Sequence, residues 1–216
     1  MRRVAKLLNI HRITVKRKLI YLAKKSEIGH WKFLMKLRQN PVTHLQFDDL
    51  ITIEHTKLKP LSVSLAVDAK TRAILGAKVS RIAAFGHLAE MSRKKYGHRK
   101  STHSQSLDKL FQQIKSSVSR DALIESDEHT FYPKVVSKYF PHAKHKRYKG
   151  GRGCVVGQGE LKKLHFDPLF MLNHTCAMLR ANINRLIRKT WCTTKDPVML
   201  QKHLQIYIRY HNSTLQ

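Results

Sequence analysis

The chain has 216 residues, of which 42% are hydrophobic, and its 42 Lys and Arg residues outnumber its 14 Asp and Glu residues, giving a formal net charge of +28. The length suits one medium domain with a small appendage, the apolar content is too high for a disordered chain, and no apolar run approaches the roughly 18 residues of a membrane span. The charge indicates a polyanionic partner, and nucleic acid fits better than a membrane because no lipidation signal or long basic amphipathic helix with an aromatic face is present.

The N-terminus and the cysteines indicate the compartment. Met1-Arg2-Arg3 leads into an amphipathic helix and not into the apolar segment of a signal peptide, so we expect a cytoplasmic, nucleoid-associated protein. The three cysteines are odd in number and far apart, which indicates reduced thiols and argues against a zinc site. They are Cys154, Cys176 and Cys192.

The first 27 residues predict two helices with a short turn between them. Apolar residues at helical spacing lie on both sides of Asn9-Ile10-His11, and basic residues cover the rest of the second helix, residues 14–25. Such a pair matches the helix-turn-helix, whose second helix enters the major groove of DNA; an ordinary basic helical hairpin is the alternative. Because a helix-turn-helix normally packs against a preceding helix, we expect that the reading frame starts late. The residues of the second helix expected to contact DNA are Thr14, Lys16, Arg17 and Lys18.

Residues 29–40 are basic and contain Trp31, and we interpret them as a connector. The connector ends at Asn40-Pro41, because the residue before a proline is disfavoured in the helical region. We therefore expect a partial helix-turn-helix segment with its linker over residues 1–40 and a second domain over residues 41–216.

Residues 43–54 have the alternation of a half-buried strand, with Leu45 and Phe47 on one face and polar residues on the other. The acid pair Asp48-Asp49 comes directly after Phe47. Two explanations fit an acid pair in the middle of a strand: a β-turn or bulge, or acids with a functional role.

Short connections after residue 54 predict an antiparallel meander of three strands. A later strand ends on an acid, Asp127, and Asp-Pro pairs at residues 167–168 and 196–197 are typical of helix starts. Residues 83–100 have no clear pattern, and the Gly-rich residues 149–163 match no nucleotide-binding loop; they fit a basic loop against a phosphate backbone or a plain surface loop. The expected elements after the first strand are strands at 61–68 and 73–82, a helix at 102–117, a strand at 122–127, a helix at 132–140, a strand at 142–148, and helices at 167–190 and 197–212.

This order of elements is that of a ribonuclease H-like core, an α/β fold with a mixed sheet flanked by helices. In that core the first and fourth strands lie side by side, so Asp48 and Asp127 would come close. Two carboxylates held together repel each other, and divalent cations relieve the repulsion. Two metal ions about 3.5–4 Å apart can activate a water or a 3′-hydroxyl for phosphoryl transfer, which is the chemistry of cutting and joining DNA strands.

Three groups of residues carry a resemblance to a known family. The first is Phe47-Asp48-Asp49 with Lys57-Leu58-Lys59-Pro60 and Asp68-Ala69-Lys70-Thr71-Arg72; the second is Ser126-Asp127-Glu128 with Tyr132; the third is Asn173 with Arg180, Arg185, Arg188 and Lys189, then Thr193-Thr194-Lys195 and Tyr210-His211-Asn212. Together they resemble the DDE transposases of bacterial insertion sequences, in the short-enzyme branch whose first acid lies in an Asp-Asp or Asp-Glu pair. The likeness covers residues 43–212.

The resemblance implies a transposase that cleaves and transfers DNA strands with Mg²⁺, or Mn²⁺, held by Asp48, Asp127 and a third residue. Double-stranded DNA would be the partner, both as element ends and as target, and cutting two ends implies at least a homodimer. The basic residues that would contact DNA near the third position are Arg180, Arg185, Arg188 and Lys189.

The third position departs from the family pattern. The usual residue is Glu, and alignment along the helix puts Asn173 there; a related branch has Asn, which could ligate through its amide oxygen or through a water. Glu160, about 33 residues beyond Asp127, ranks second, and Asp167, which already has a helix-capping role, ranks third. Two other functions stay open: a non-catalytic or truncated transposase-derived DNA-binding protein, and a structural RNA-binding protein without a metal-binding carboxylate pair.

Overall fold

A computed structural model describes residues 2–149, 167–187 and 193–215. It has an α/β architecture with one five-stranded mixed sheet flanked by helices, which confirms the expected fold class at that level. The strands are β1 (Val42–Glu54), β2 (Thr56–Asp68), β3 (Ile74–Arg81), β4 (Val118–Asp127) and β5 (Lys144–Tyr148). The helices are α1 (Arg2–Leu7), α2 (Arg12–Leu37), α3 (Leu88–Tyr96), α4 (His103–Ile114), α5 (Tyr132–Tyr139), α6 (Phe170–Asn182) and α7 (Pro197–Thr214).

The sheet order is β3-β2-β1-β4-β5. The first three strands form the expected antiparallel meander, and β4 and β5 run parallel to β1. The first and fourth strands are therefore neighbours, as the element order predicts. Strand β2 is buried from Pro60 onward, which fits its central place in the meander and its apolar sequence.

The sheet separates two apolar clusters. Leu45 and Phe47 face one side, where they pack against helices α4 and α5 through residues such as Phe111 and Tyr132. Helices α6 and α7 cover the other side, where Leu50 belongs to the cluster. The alternation in β1 thus has the expected cause, since each face of this strand meets a different helical layer.

The N-terminal part has two helices separated by a short turn, as expected, but the connector predicted after them is not observed. Helix α2 continues to Leu37, so most of the stretch interpreted as a connector is helical. Tertiary packing explains the difference: Ala23, His30 and Leu34 are buried and α2 packs against α7, which outweighs the helix-weakening effect of Gly29. A Cβ at Gly29 would come within 2.6 Å of the Arg209 guanidinium, so a larger residue here would displace the end of this side chain.

Three other boundaries move. Helix α6 begins at Phe170, with Leu169 rather than Asp167 at its N-cap, because Asp167 bonds to the Leu169 N–H in a turn before the helix. It ends at Asn182 and is followed by a 3₁₀ turn, Asn184–Leu186, whereas the sequence predicts a helix to residue 190; residues 188–190 lie outside the described part of the chain. Strand β2 includes Pro60, which pairs with Ile53 next to a register shift, a position where a strand tolerates proline. Strand β4 begins at Val118 rather than at Ala122.

Residues 88–96, which have no clear pattern in the sequence, form helix α3. The Gly-rich segment falls almost entirely on residues 150–166, outside the described residues, as do Cys154 and Cys192. Within the described ranges, no helix has both the length and the apolar character that crossing a bilayer requires.

Candidate functional site

The parallel pairing of β1 with β4 brings Asp48 and Asp127 together. The last residues that the two strands pair are Gln46 and Glu125, and Asp48 and Asp127 each follow two residues later. Because successive side chains of a strand alternate between its faces, each acid is expected on the same face as the paired residue two positions before it. Burial and then the neighbouring negative charge of Asp127 raise the pKa of Asp48 to about 7. The two predicted acids therefore interact directly through their charges.

Asp49 points to the opposite face, where four side chains hold it. Its Oδ1 accepts hydrogen bonds of 2.6 Å from both Ser62 and Ser64, and its Oδ2 lies 2.5 Å from His103 Nε2 and 2.8 Å from the Tyr132 hydroxyl. Burial alone would raise the pKa of Asp49, but the hydrogen bonds from these partners, His103 first, lower it to about 2. Asp49 is thus an ionised anchor of β1 to the α4 and α5 side.

Tyr132 contacts both Asp48 and Asp49. Its hydroxyl donates to Asp49 Oδ2 at 2.8 Å and lies 3.2 Å from Asp48 Oδ1. The ring packs on Phe47, with centroids 4.7 Å apart, and Pro133 in the first turn of α5 fixes the start of this helix. Burial and the charges of Asp49 and Asp48 raise the pKa of Tyr132, so the hydroxyl stays a donor.

The end of β4 positions Asp127. The His129 backbone N–H donates to Asp127 Oδ1 at 2.9 Å, which closes a tight turn directly after the strand. The His129 ring lies against Tyr132 and edge-on to His103, with centroid distances of 4.9 and 5.6 Å. His103 is a site residue that the sequence pattern misses, because only the packing of α4 beside β1 brings it to Asp49.

Glu125 forms a second hydrogen-bond centre on the Asp48 face. Its carboxylate accepts from Gln46 Nε2 at 2.9 Å and from the Tyr148 hydroxyl at 2.7 Å, and it lies 2.7 Å from His44 Nε2. Burial would raise the pKa of Glu125, but the hydrogen bonds, Tyr148 first, lower it. The buried acid thus ties β1, β4 and β5 together next to the Asp48–Asp127 pair.

Gln46 also docks helix α6 over the sheet. Its Oε1 accepts from the Leu172 backbone N–H at 3.1 Å, and its Nε2 donates to the Pro168 carbonyl at 2.8 Å. The first bond satisfies an N–H in the first turn of α6, where a helix has no internal partner for it, and the second holds the turn that precedes the helix. Because Gln46 and Asp48 share a face of β1, the N-terminal part of α6 lies on the same side of the sheet as Asp48.

Asn173, the predicted third ligand, is exposed, and its Nδ2 donates to Asp167 Oδ2 at 2.8 Å. Asp167 in turn accepts from the Leu169 N–H at 3.0 Å and so shapes the turn before α6. Cys176 lies on α6 one turn after Asn173. Burial, and then the nearby charge of Asp48, raise the pKa of its thiol to about 12. Glu160 lies outside the described residues.

The predicted DNA-contacting residues fall into three groups. Thr14, Lys16, Arg17 and Lys18 are exposed on α2. Arg180 and Arg185 are partly buried on and after α6, and Arg185 lies near His203 of α7, whose pKa burial and then this charge lower. Arg188 and Lys189 lie outside the described residues.

The arrangement fits a divalent cation through one specific feature, a pair of acids whose mutual repulsion and burial disfavour double ionisation. Carboxylate oxygens are the ligands that Mg²⁺ prefers, and a cation between two carboxylates removes the repulsion. In residues 2–149, 167–187 and 193–215 no group of three or more His, Cys, Asp or Glu side chains is placed to hold a metal ion. No protein-family model matches the chain, and no curated protein is significantly similar to it.

Proposed function

We propose that the protein is a DDE-type DNA transposase with a ribonuclease H-like catalytic domain. The observation that carries the proposal is the parallel β1–β4 pairing, which ends two residues before Asp48 and Asp127 and brings the two acids close enough for the charge of Asp127, after burial, to raise the pKa of Asp48. The strand order β3-β2-β1-β4-β5, with the first three strands antiparallel and the last two parallel to β1, supports the proposed core.

Asp48 and Asp127 would hold Mg²⁺ or Mn²⁺, together with a residue of α6 or of the segment before it. Bound cations would promote attack on a phosphodiester by water and then by the freed 3′-hydroxyl, and would offset the charge on the leaving oxygen. Asp49 and Tyr132 would keep Asp48 in place, because the first is anchored by four side chains and the second touches both acids. Asn173 ranks first as third ligand because it lies one turn before Cys176 on the helix beside Asp48; Glu160 and then Asp167 follow.

The charge distribution supports DNA as the partner. The net charge of +28 favours a polyanionic partner, and α2 exposes Lys16, Arg17 and Lys18 in its N-terminal part. Two DNA ends must be cut in transposition, so the active form would be a homodimer or a larger assembly on DNA.

A second function, that of a transposase-derived protein that binds DNA without cutting it, is favoured by one observation. Asn173 stands where the family that the chain resembles usually has Glu, and it donates to Asp167. This side chain therefore adds no negative charge beside Asp48 and Asp127. A neutral third ligand would hold a cation more weakly than a carboxylate does.

Cleavage of DNA that borders the gene tests the proposal. Labelled duplexes from either side of the gene are incubated with the protein in Mg²⁺ or Mn²⁺. We expect strand cleavage that is lost in Asp48→Asn and in Asp127→Asn but kept in Asp121→Asn, a control that neutralises an exposed acid on the same strand.

Each other result has a defined meaning. An Asp127→Asn protein that still nicks these duplexes would refute the catalytic assignment. Salt-sensitive binding without cleavage would favour the non-catalytic DNA-binding protein. Preference for RNA over DNA of the same sequence would favour a structural RNA-binding protein.

A further inference from the structure

A cavity of about 680 Å³ lies between the second half of β1, the C-terminal half of α6 and the segment that leads into α3. Its walls are apolar, with Ile51 and Ile53 of β1 at one side and Phe85 and Leu88 at the other. Two cationic residues, Lys57 and Arg180, also line it. This volume lies within the range of roughly 300–1,000 Å³ that is typical of small-molecule sites.

The cavity lies on the same strand as Asp48, further toward the C-terminal end of β1. Ile51 follows Asp48 by three residues on β1, and at about 3.3 Å per residue the two lie about 10 Å apart. On the other wall, Arg180 lies one helical turn after Cys176, whose thiol is close enough to Asp48 to be affected by its charge. The side chains of Ile51 and Asp48 point to opposite faces of β1, so a ligand in the cavity would lie about 10 Å along the strand from anything bound at Asp48 and Asp127.

The lining suits a flat aromatic group that is attached to an anion. Phe85 is 63% exposed although it is a large aromatic residue, so its ring is available for stacking. Lys57 is exposed as well, and Arg180 adds a second positive charge to the wall. A nucleobase with its phosphates has this combination of an apolar face and negative charge.

Helix α3 extends positive charge away from the cavity. It begins at Leu88 in the cavity wall and exposes Arg93, Lys94 and Lys95 in its last turn. The Ser92 hydroxyl donates to the Leu58 carbonyl at 2.7 Å, so the helix is fixed to β2. A polyanionic strand that leaves the cavity thus meets a rigid basic surface, which a small uncharged ligand would not use.

We propose that this cavity receives one unstacked base of the DNA strand that flanks the cleavage position, with Phe85 as the stacking surface. The inference rests on the proposed function, because it places the cleaved phosphate at Asp48 and Asp127. A distance of about 10 Å corresponds to about three base steps at 3.4 Å each, so the base lies within about three nucleotides of the cleaved bond.

The test is a binding experiment that combines one substitution in the protein with one change in the DNA. It is carried out in EDTA, where no cleavage occurs. The probe is the duplex from the gene border, either intact or with an abasic residue at one position at a time. Base–aromatic stacking contributes about 1–3 kcal/mol, so we expect Phe85→Ala to weaken binding to the intact duplex by about 5- to 150-fold. On the duplex that lacks the received base, the same substitution should have no effect.

Tyr210→Ala is the matched control, because Tyr210 on α7 is 61% exposed and does not line the cavity. It should bind intact and abasic duplexes as the wild type does. Thermal unfolding of Phe85→Ala checks that the fold is kept, and Lys57→Gln gives a second variant, which should weaken binding to intact and abasic duplexes alike and lower the salt dependence by about one ion.

The outcomes separate the two proposals. If Phe85→Ala weakens binding equally on intact and on every abasic duplex, or not at all, the cavity does not receive a base, whether or not the wild type cleaves DNA. If the effect disappears at one abasic position but the wild type cleaves nothing in Mg²⁺ or Mn²⁺, the base site stands and the transposase proposal fails.

Discussion

Asp48 of β1 and Asp127 of β4 each lie two residues beyond the last paired residues of their parallel strands, and the charge of Asp127, added to burial, raises the pKa of Asp48 to about 7. The neighbouring acids behave differently. Asp49 accepts hydrogen bonds from four side chains and Glu125 from three, and these bonds lower the pKa of both carboxyl groups. The contrast distinguishes two acids that hold the strands in place from a pair that would gain from a shared cation.

The raised pKa of Asp48 predicts a stability change with a defined pH dependence. Without metal, the folded protein has to ionise Asp48 at a cost above pH 7, whereas the unfolded chain ionises it near 3.8. Asp48→Asn should therefore stabilise the fold above pH 7, by about 4 kcal/mol for a shift of about three pKa units. The gain should shrink as the pH falls from 7 to about 4. Urea unfolding in EDTA at several pH values measures it, and a gain that is independent of pH would contradict the assigned coupling.

His103 and Asp49 predict the opposite dependence. The hydrogen bond to Asp49 raises the pKa of His103, so the stability from this pair is complete below pH 6.5 and is lost as the pH rises through the raised value. His103→Gln should cost about 2 kcal/mol at pH 6, as for a charge-assisted hydrogen bond, and less at pH 9. Urea unfolding at both pH values is the measurement, with His87→Gln as an exposed histidine control. Equal losses at both pH values would show that His103 is not charged in the folded protein.

Gln46 should be needed to dock α6. Gln46→Ala leaves the Leu172 N–H and the Pro168 carbonyl without their side-chain partner, and a buried unsatisfied polar group costs about 1–3 kcal/mol. We expect a loss of about 2–4 kcal/mol in urea unfolding and faster hydrogen exchange at the Leu172 amide. Gln112→Ala, at an exposed position of α4, is the control. If the Leu172 amide stays as protected as in the wild type, Gln46 does not fix this helix.

Much of the sheet could be predicted because its signals are local. The alternation around Leu45 and Phe47 survives in the structure since each face of β1 packs against its own helical layer. The acid at the end of β4 marked the strand terminus correctly, and Asp196 caps α7 as expected, accepting from the Val198 N–H at 2.9 Å.

The remaining features depend on contacts between distant parts of the chain. Helix α2 runs through Gly29 because α7 packs against it, and no local pattern contains that information. His103 reaches Asp49 only because α4 packs against the sheet, and the residues around His103 in the sequence do not contain that information. The Asn173 side chain donates a hydrogen bond to Asp167, a contact that the spacing along the helix cannot reveal.

A titration with Mn²⁺ tests the shared cation most directly. The wild type, Asp48→Asn, Asp127→Asn and Asp121→Asn are compared at pH 8 by calorimetry or by the paramagnetic resonance signal of free Mn²⁺. We expect wild-type binding that weakens at least about 10-fold when either Asp48 or Asp127 is neutralised, because each removes one charged ligand, and that stays unchanged in Asp121→Asn. The affinity of the wild type should also fall between pH 8 and pH 6, as protons compete for Asp48. Equal Mn²⁺ binding by all four proteins, or binding by none of them, would contradict the shared-cation site.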